Sequence, residues 1–148
     1  RLLSCTMCSM RADAPEAFQR SWDERLALAR AQGMPALSEP TARRWFPEGY
    51  KNDAVLSLVR RMISETPVQG FLGGVGAICA LDYARQVAAL DVQVQFLAGG
   101  CDGVLPDAMA RLAGEVRESR YEQFPGTGHL INLERPEEFN RAIGCFLD

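Results

Sequence analysis

The sequence has almost no histidine and almost no lysine: His129 is its one imidazole and Lys51 its one lysine in 148 residues. A lone imidazole cannot build a multi-histidine metal site. The five cysteines, of which Cys5 and Cys8 form a C-x-x-C, lack the second ligand pair that a structural zinc site needs. No metal is therefore expected, and no cofactor is implied. Five is also an odd number for a disulfide framework, which points to reduced thiols. No apolar run approaches the roughly 18–20 residues that span a bilayer, and the apolar part of the opening "RLLSCTMCSM" is too short for a secretory signal. A basic excess is missing as well. The net charge of -3 leaves no electrostatic footprint for nucleic acid or an anionic membrane. The expectation is a cytoplasmic protein whose partner is a small molecule. The scarcity of lysine, beside an abundance of arginine, carries no functional content.

What is present is an apolar fraction of 47% with 24% charged residues, the balance of a globular chain that can bury its own core. "RLLSCTM" reads as a short buried strand entered directly from Arg1, and a preceding segment is expected. After the turn-like "RADAP", residues Phe18, Trp22, Leu26 and Ala29 recur at helical spacing from about Pro15 to Gln32, with Gly33 as the stop. "PALSEPTARRWF" predicts a short helix broken by Pro40. Asn52 or Asp53 can cap the next helix, with Val55, Val59 and Met62 as its stripe. Thr66, Pro67 and Gln69 read as a capping-box start with proline in the first helical position.

The pattern then changes. Val92, Val94 and Phe96 alternate with Gln93 and Gln95 and run into glycines, as a strand entering a loop does. A helix from about Pro106 to Arg117, a strand in "SRYEQFPG" and a helix opened by Pro136, with Phe139, Ile143 and Phe146 on one face, complete the chain. Strand, helix, strand, helix with such connections predicts parallel pairing. The fold class is α/β: a core strand and turn over residues 1–13, an inserted helical block over 14–82, and a C-terminal α/β core over 83–148.

In parallel sheets, sites form at the carboxyl ends of strands, and both Asp102 and His129 fall just past a strand. A carboxylate after one strand can accept from an imidazole N–H after the next, leaving the other ring nitrogen free as a base. A loop cap at His129 and a turn at Asp102 account for the same spacing equally well. Asp107 is a rival carboxylate, but it falls in a helical first turn, where negative charge is favoured without catalysis.

These residues carry a resemblance. "VQVQFLAGGCDGVLPDAMARLAGEV" followed by "YEQFPGTGHLINLERPEEFNRAIGCFLD" resembles the closing portion of an α/β-hydrolase, with glycine before the histidine and Glu134, Pro136 and Phe139 after it. The resemblance implies the C-terminal portion of that fold, with Asp102 as the triad acid, His129 as the triad base and the inserted helices as a cap. "ARRWFPEGY" and "SETPVQGFLGGVGAICALDY" resemble the 3-oxoadipate enol-lactonase branch, which implies an ester or lactone substrate and makes Trp45 the candidate substrate wall. As an aromatic in a cap, Trp45 also reads as core.

The family places its serine on a G-x-S-x-G elbow upstream of the acid and the base. No G-x-S-x-G occurs here: Ser4, Ser9, Ser21, Ser38, Ser57, Ser64 and Ser119 all lack the flanking glycines. The expectation is cap, acid and base without nucleophile or oxyanion donors, so that a missing N-terminal hydrolase segment or self-association completes the protein. Two other classes stand beside it. One is a non-catalytic fragment or subunit that binds or assembles, and the other is a thiol redox module built on Cys5 and Cys8, against which stands a purely structural pair. "GFLGGVGA" lacks the Lys-Ser/Thr of a phosphate loop and reads as a smooth helix face for close packing.

Overall fold

Strand β2 (Gln93–Gly99) is the centre of the fold. It pairs in parallel with β1 (Ser4–Cys8) on one side and β3 (Ser119–Phe124) on the other, in the order β1-β2-β3. The computed structural model describes residues 2–148; Arg1, with which the expected first strand begins, lies outside the described residues. One face of β2 sends Val94, Phe96 and Ala98 against Met109 and Ala113 of α7 (Leu105–Glu115). The other sends Leu97 against Phe124, Ile131 and the Phe139 and Ile143 side of α9 (Pro136–Leu147). Side chains as fully buried as Val94, Phe96 and Leu97 stabilise the fold by about 1.5–3 kcal/mol each.

Alternation alone gives β2 a polar face, and here the structure differs. Gln95 is buried because helices cover both faces of a parallel sheet. Its amide is satisfied: Oε1 accepts from Thr6 Oγ1 at 3.2 Å, and Nε2 donates to the Ala142 carbonyl at 3.0 Å.

The chain forms two compact units. The first holds the sheet and comprises the chain up to Ala12, Trp45–Pro47 and Tyr83–Asp148, including the short α6 (Ala84–Ala88) and α8 (Ile131–Glu134), neither of which the periodicity reveals. The second, Asp13–Arg44 with Glu48–Asp82, is helical, and an antiparallel bridge joins Asp13 to Asp82 where the chain enters and leaves it.

In the helical unit the expected helix from Pro15 to Gln32 is two: α1 (Glu16–Arg20) and α2 (Asp23–Gln32). Ser21 Oγ donates to the Phe18 carbonyl at 2.7 Å, a local bond that competes with helix continuation. α3 (Pro35–Trp45), by contrast, runs through Pro40. An interior proline costs about 3 kcal/mol, and the burial of Leu37 and Ala42 on either side of it offsets that cost.

α4 (Asp53–Glu65) starts as expected, with the Asn52 side chain accepting from Val55 N at 3.2 Å. Its buried stripe is Val59 and Ile63, not Met62, which is 59% exposed. Thr66 makes no capping box. It closes α4 by donating Oγ1 to the Met62 carbonyl at 2.9 Å, and Pro67 takes the N-cap position of α5 (Val68–Cys79) with an extended ψ. The glycine face of α5 is open, since a Cβ built on Gly70, Gly73, Gly74 or Gly76 meets nothing within 4 Å. No described helix is long and apolar enough to cross a membrane.

Candidate active site

The register pairs Gly99 with Phe124, so β2 and β3 end side by side. Asp102 follows the first strand end and His129 the second. The two loops are stitched together by backbone bonds. Gly100 N donates to Phe124 O at 2.9 Å and Cys101 N to Thr127 O at 2.7 Å, while the buried Thr127 Oγ1 donates to Phe124 O at 2.9 Å. Two glycines make this approach possible. A Cβ on Gly99 would collide with the Gly128 carbonyl oxygen, and a Cβ on Gly128 with that of Trp45. Gly126, at φ 71°, turns the chain into the histidine loop.

These constraints bring Asp102 and His129 together. His129 Nδ1 lies 2.7 Å from Asp102 Oδ2, with the imidazole 29% exposed and the carboxylate side chain 12% exposed. A carboxylate only accepts, so Nδ1 donates, and the neutral ring therefore carries no proton on Nε2. That leaves Nε2 able to take a proton from a reacting group while Asp102 holds the ring and its developing charge.

Asp107 is not part of this pair. It lies exposed in the first turn of α7, where its charge, after burial, helps push the Tyr121 phenol above its usual range. Trp45, at the end of α3, meets His129 directly: the rings stack at 5.6 Å between centroids and 25° between planes, and the Trp45 carbonyl accepts from His129 N at 2.7 Å.

Glu134 has a place in the sequence pattern but no function assigned by it. In the structure its two carboxylate oxygens accept from Gly128 N at 2.9 and 3.0 Å, clasping the residue before the histidine. Desolvation by burial, the largest influence, pushes the Glu134 carboxyl above the usual carboxylate range, with the Asp102 charge acting in the same direction; the N–H groups of Gly128 and Leu130 and the Arg135 charge oppose it. The only signal for this in the sequence is an acidic residue that closes the short apolar run after His129.

The sign of the shift fixes a pH dependence. A carboxyl with a raised folded pKa binds more protons folded than unfolded, so its contribution is present in acid and lost as pH rises through the folded value. Relative to Glu134→Gln, the native chain is expected to lose stability as pH rises from the usual glutamate range toward neutrality. Urea unfolding of both proteins at acid and neutral pH measures the difference. A stability gap that stays constant with pH would refute the shift.

All five cysteines are free. Burial, then the neighbouring Cys5, pushes the Cys8 thiol up, which disfavours the thiolate that a redox couple uses. Among the described residues no cluster of three or more His, Cys, Asp or Glu side chains is arranged to hold a metal ion.

Residues 2–142 match the model of a family described as the alpha/beta hydrolase family. The chain is 25% identical over 128 residues to 3-oxoadipate enol-lactonase 1 of Acinetobacter baylyi, an alignment covering 85% of this chain and 48% of that protein. Among solved structures it is similar to the enol-lactonase from Burkholderia xenovorans LB400, with a TM-score of 0.90 and 27% identity over 99% of this chain and 56% of the other. It is also similar to a thermophilic esterase from Thermogutta terrifontis, with a TM-score of 0.86 and 25% identity over 97% of this chain and 55% of the other. The chain spans about half the length of the relatives it matches.

Proposed function

This chain belongs to the alpha/beta hydrolase family, and from that premise we propose that it supplies the acid and the base of a serine-type hydrolase acting on an ester or lactone. The single observation that carries the proposal is the 2.7 Å contact between His129 Nδ1 and Asp102 Oδ2 at the carboxyl ends of adjacent parallel strands. In the reaction His129 Nε2 takes the proton of a serine as its oxygen attacks the acyl carbon, and the imidazolium returns that proton to the leaving oxygen. His129 then draws a proton from water as its oxygen attacks the acyl-enzyme, and the imidazolium returns that proton to the serine oxygen as the acyl–serine bond breaks and the acid is released. Asp102 keeps the tautomer fixed and faces the positive charge throughout.

None of the chain's seven serines stands in an elbow motif. The nucleophile and the oxyanion donors therefore come from polypeptide outside these 148 residues, either a hydrolase segment of the same protein or a tightly held partner. The helical unit, Asp13–Arg44 with Glu48–Asp82, takes the role of the cap expected over residues 14–82, and Trp45, which belongs to the sheet unit, that of the aromatic beside the reacting centre. The favoured substrate is an enol-lactone, a reading supported by enol-lactonase relatives at 25% and 27% identity.

The missing elbow favours one competing reading, a non-catalytic hydrolase-like subunit. In the complete enzyme, meaning this chain together with a nucleophile-bearing segment, kcat/KM for 3-oxoadipate enol-lactone is expected to exceed that for a simple aryl ester by about tenfold or more, a difference of about 1.4 kcal/mol in the barrier. A preference for the aryl ester in steady-state assays would remove the enol-lactone assignment and leave a general esterase. No turnover of either would favour the subunit.

A further inference from the structure

The Asp102 contact does not by itself fix the imidazole. One hydrogen bond at Nδ1 sets where that atom points, yet the ring can still swing about the bond and carry Nε2 out of line. Two further contacts hold the residue, and both come from Trp45: one fixes the main chain that carries the ring, and the other meets the ring itself. The Trp45 carbonyl accepts from the His129 main-chain N–H at 2.7 Å, and the Trp45 indole lies against one face of the imidazole at 5.6 Å and 25°. The sequence builds this approach in. Position 128 is glycine, and a Cβ there would collide with the same Trp45 carbonyl, while the next residue, Phe46, is buried and anchors the segment.

We infer that Trp45 is a positioning residue for the base: its indole holds the plane of the His129 ring and, once Nε2 has taken a proton, its π face attracts the imidazolium. The inference rests on reading His129 as the base, and it alters what Trp45 does within that reading. A residue that only walls the substrate acts on KM. An indole stacked on the imidazole acts on kcat, because it sets the fraction of time that Nε2 is aligned.

His129 is the only histidine, so its ring signals in the 148-residue chain can be read without competing resonances. Stacking on an indole shields the imidazole carbon-bound protons. The upfield displacement is expected in the native chain, to persist in Trp45→Phe, and to be lost in Trp45→Leu, which keeps apolar bulk without a π face, and in Trp45→Ala. In the complete enzyme, Trp45→Leu is expected to lower kcat by about tenfold with KM changed less than about threefold, and Trp45→Phe to recover most of the loss. Imidazole signals that do not move in Trp45→Leu, or a KM that rises while kcat is kept, would overturn the inference. Full turnover by His129→Ala would instead overturn the base assignment, and with it the purpose of the stack.

Discussion

Asp102→Asn is expected to lower turnover of the complete enzyme by about 10³- to 10⁴-fold, with a much smaller change in KM. One hydrogen bond decides the effect. At 2.7 Å, Asp102 Oδ2 accepts from His129 Nδ1 in a setting where the carboxylate side chain is only 12% exposed, so water cannot readily substitute for it. An asparagine can present either end of its amide. With the NH₂ toward Nδ1, the ring must accept there and carry its proton on Nε2, which can then no longer take one from serine. With the amide oxygen inward the tautomer is right, but the imidazolium forms without a counter-charge. His129→Ala is expected to cost at least as much, and the double variant little more than either, because the pair acts as a unit. Asp107→Asn is the control. That residue lies exposed in the first turn of α7, and the carboxylate bonded to His129 is Asp102, so kcat within about twofold of native is expected. If Asp107→Asn were the damaging substitution, the carboxylate assignment would be wrong.

Gly128→Ala, together with Gly99→Ala, is expected to be among the most damaging single methyl groups that can be added to the sheet unit. Its Cβ would collide with the Trp45 carbonyl oxygen and lie 3.0 Å from the Trp45 carbonyl carbon and 3.1 Å from Phe46 Cα. All three are backbone atoms, so no side chain can turn away to make room. Gly99→Ala faces the same difficulty, with the Gly128 carbonyl carbon at 2.8 Å and Thr127 O at 2.9 Å. Overpacking typically costs about 1–3 kcal/mol, and contact with backbone places these two at or above the upper end, about 10 °C in the unfolding midpoint of a domain this size. Gly114→Ala reverses the sign. That glycine is inside α7, and a Cβ there meets nothing within 4 Å, so helix propensity alone acts and a gain of about 0.5–1 kcal/mol is expected. Thermal unfolding of the three variants separates crowding from propensity. Equal effects at Gly114 and Gly128 would contradict the close approach of the histidine loop to Trp45.

The α/β half was legible because its signals are local. Val94 and Phe96 alternate, Pro106 and Pro136 sit in the first turns of α7 and α9, and the glycines after β2 mark the loop that carries Asp102. The helical block was legible in outline and misread where tertiary contacts decide. Buried neighbours carry α3 across Pro40, Ile63 in place of Met62 faces inward on α4, and Thr66 ends one helix instead of opening the next. α6 and α8 are too short for a period to show.

At the site, the placement of Asp102 and His129 after neighbouring strands was open to sequence reasoning, because parallel pairing aligns their loops. The contact of Trp45 with His129 and that of Glu134 with Gly128 were not. Trp45 reaches His129 across more than eighty residues of chain, and Glu134 clasps Gly128 through a bend in the loop that no spacing rule encodes.

The central claim, that this chain carries the acid and base for a serine held elsewhere, is tested most directly by assaying enol-lactone and ester hydrolysis in two preparations. One is the 148-residue chain alone, and the other is the same chain fused behind a segment bearing a G-x-S-x-G elbow, with and without His129→Ala. The account predicts no turnover from the chain alone, turnover from the fusion, and its loss by about 10³-fold or more in His129→Ala. Robust hydrolysis by the chain alone, abolished by replacing one of its own serines, would contradict it.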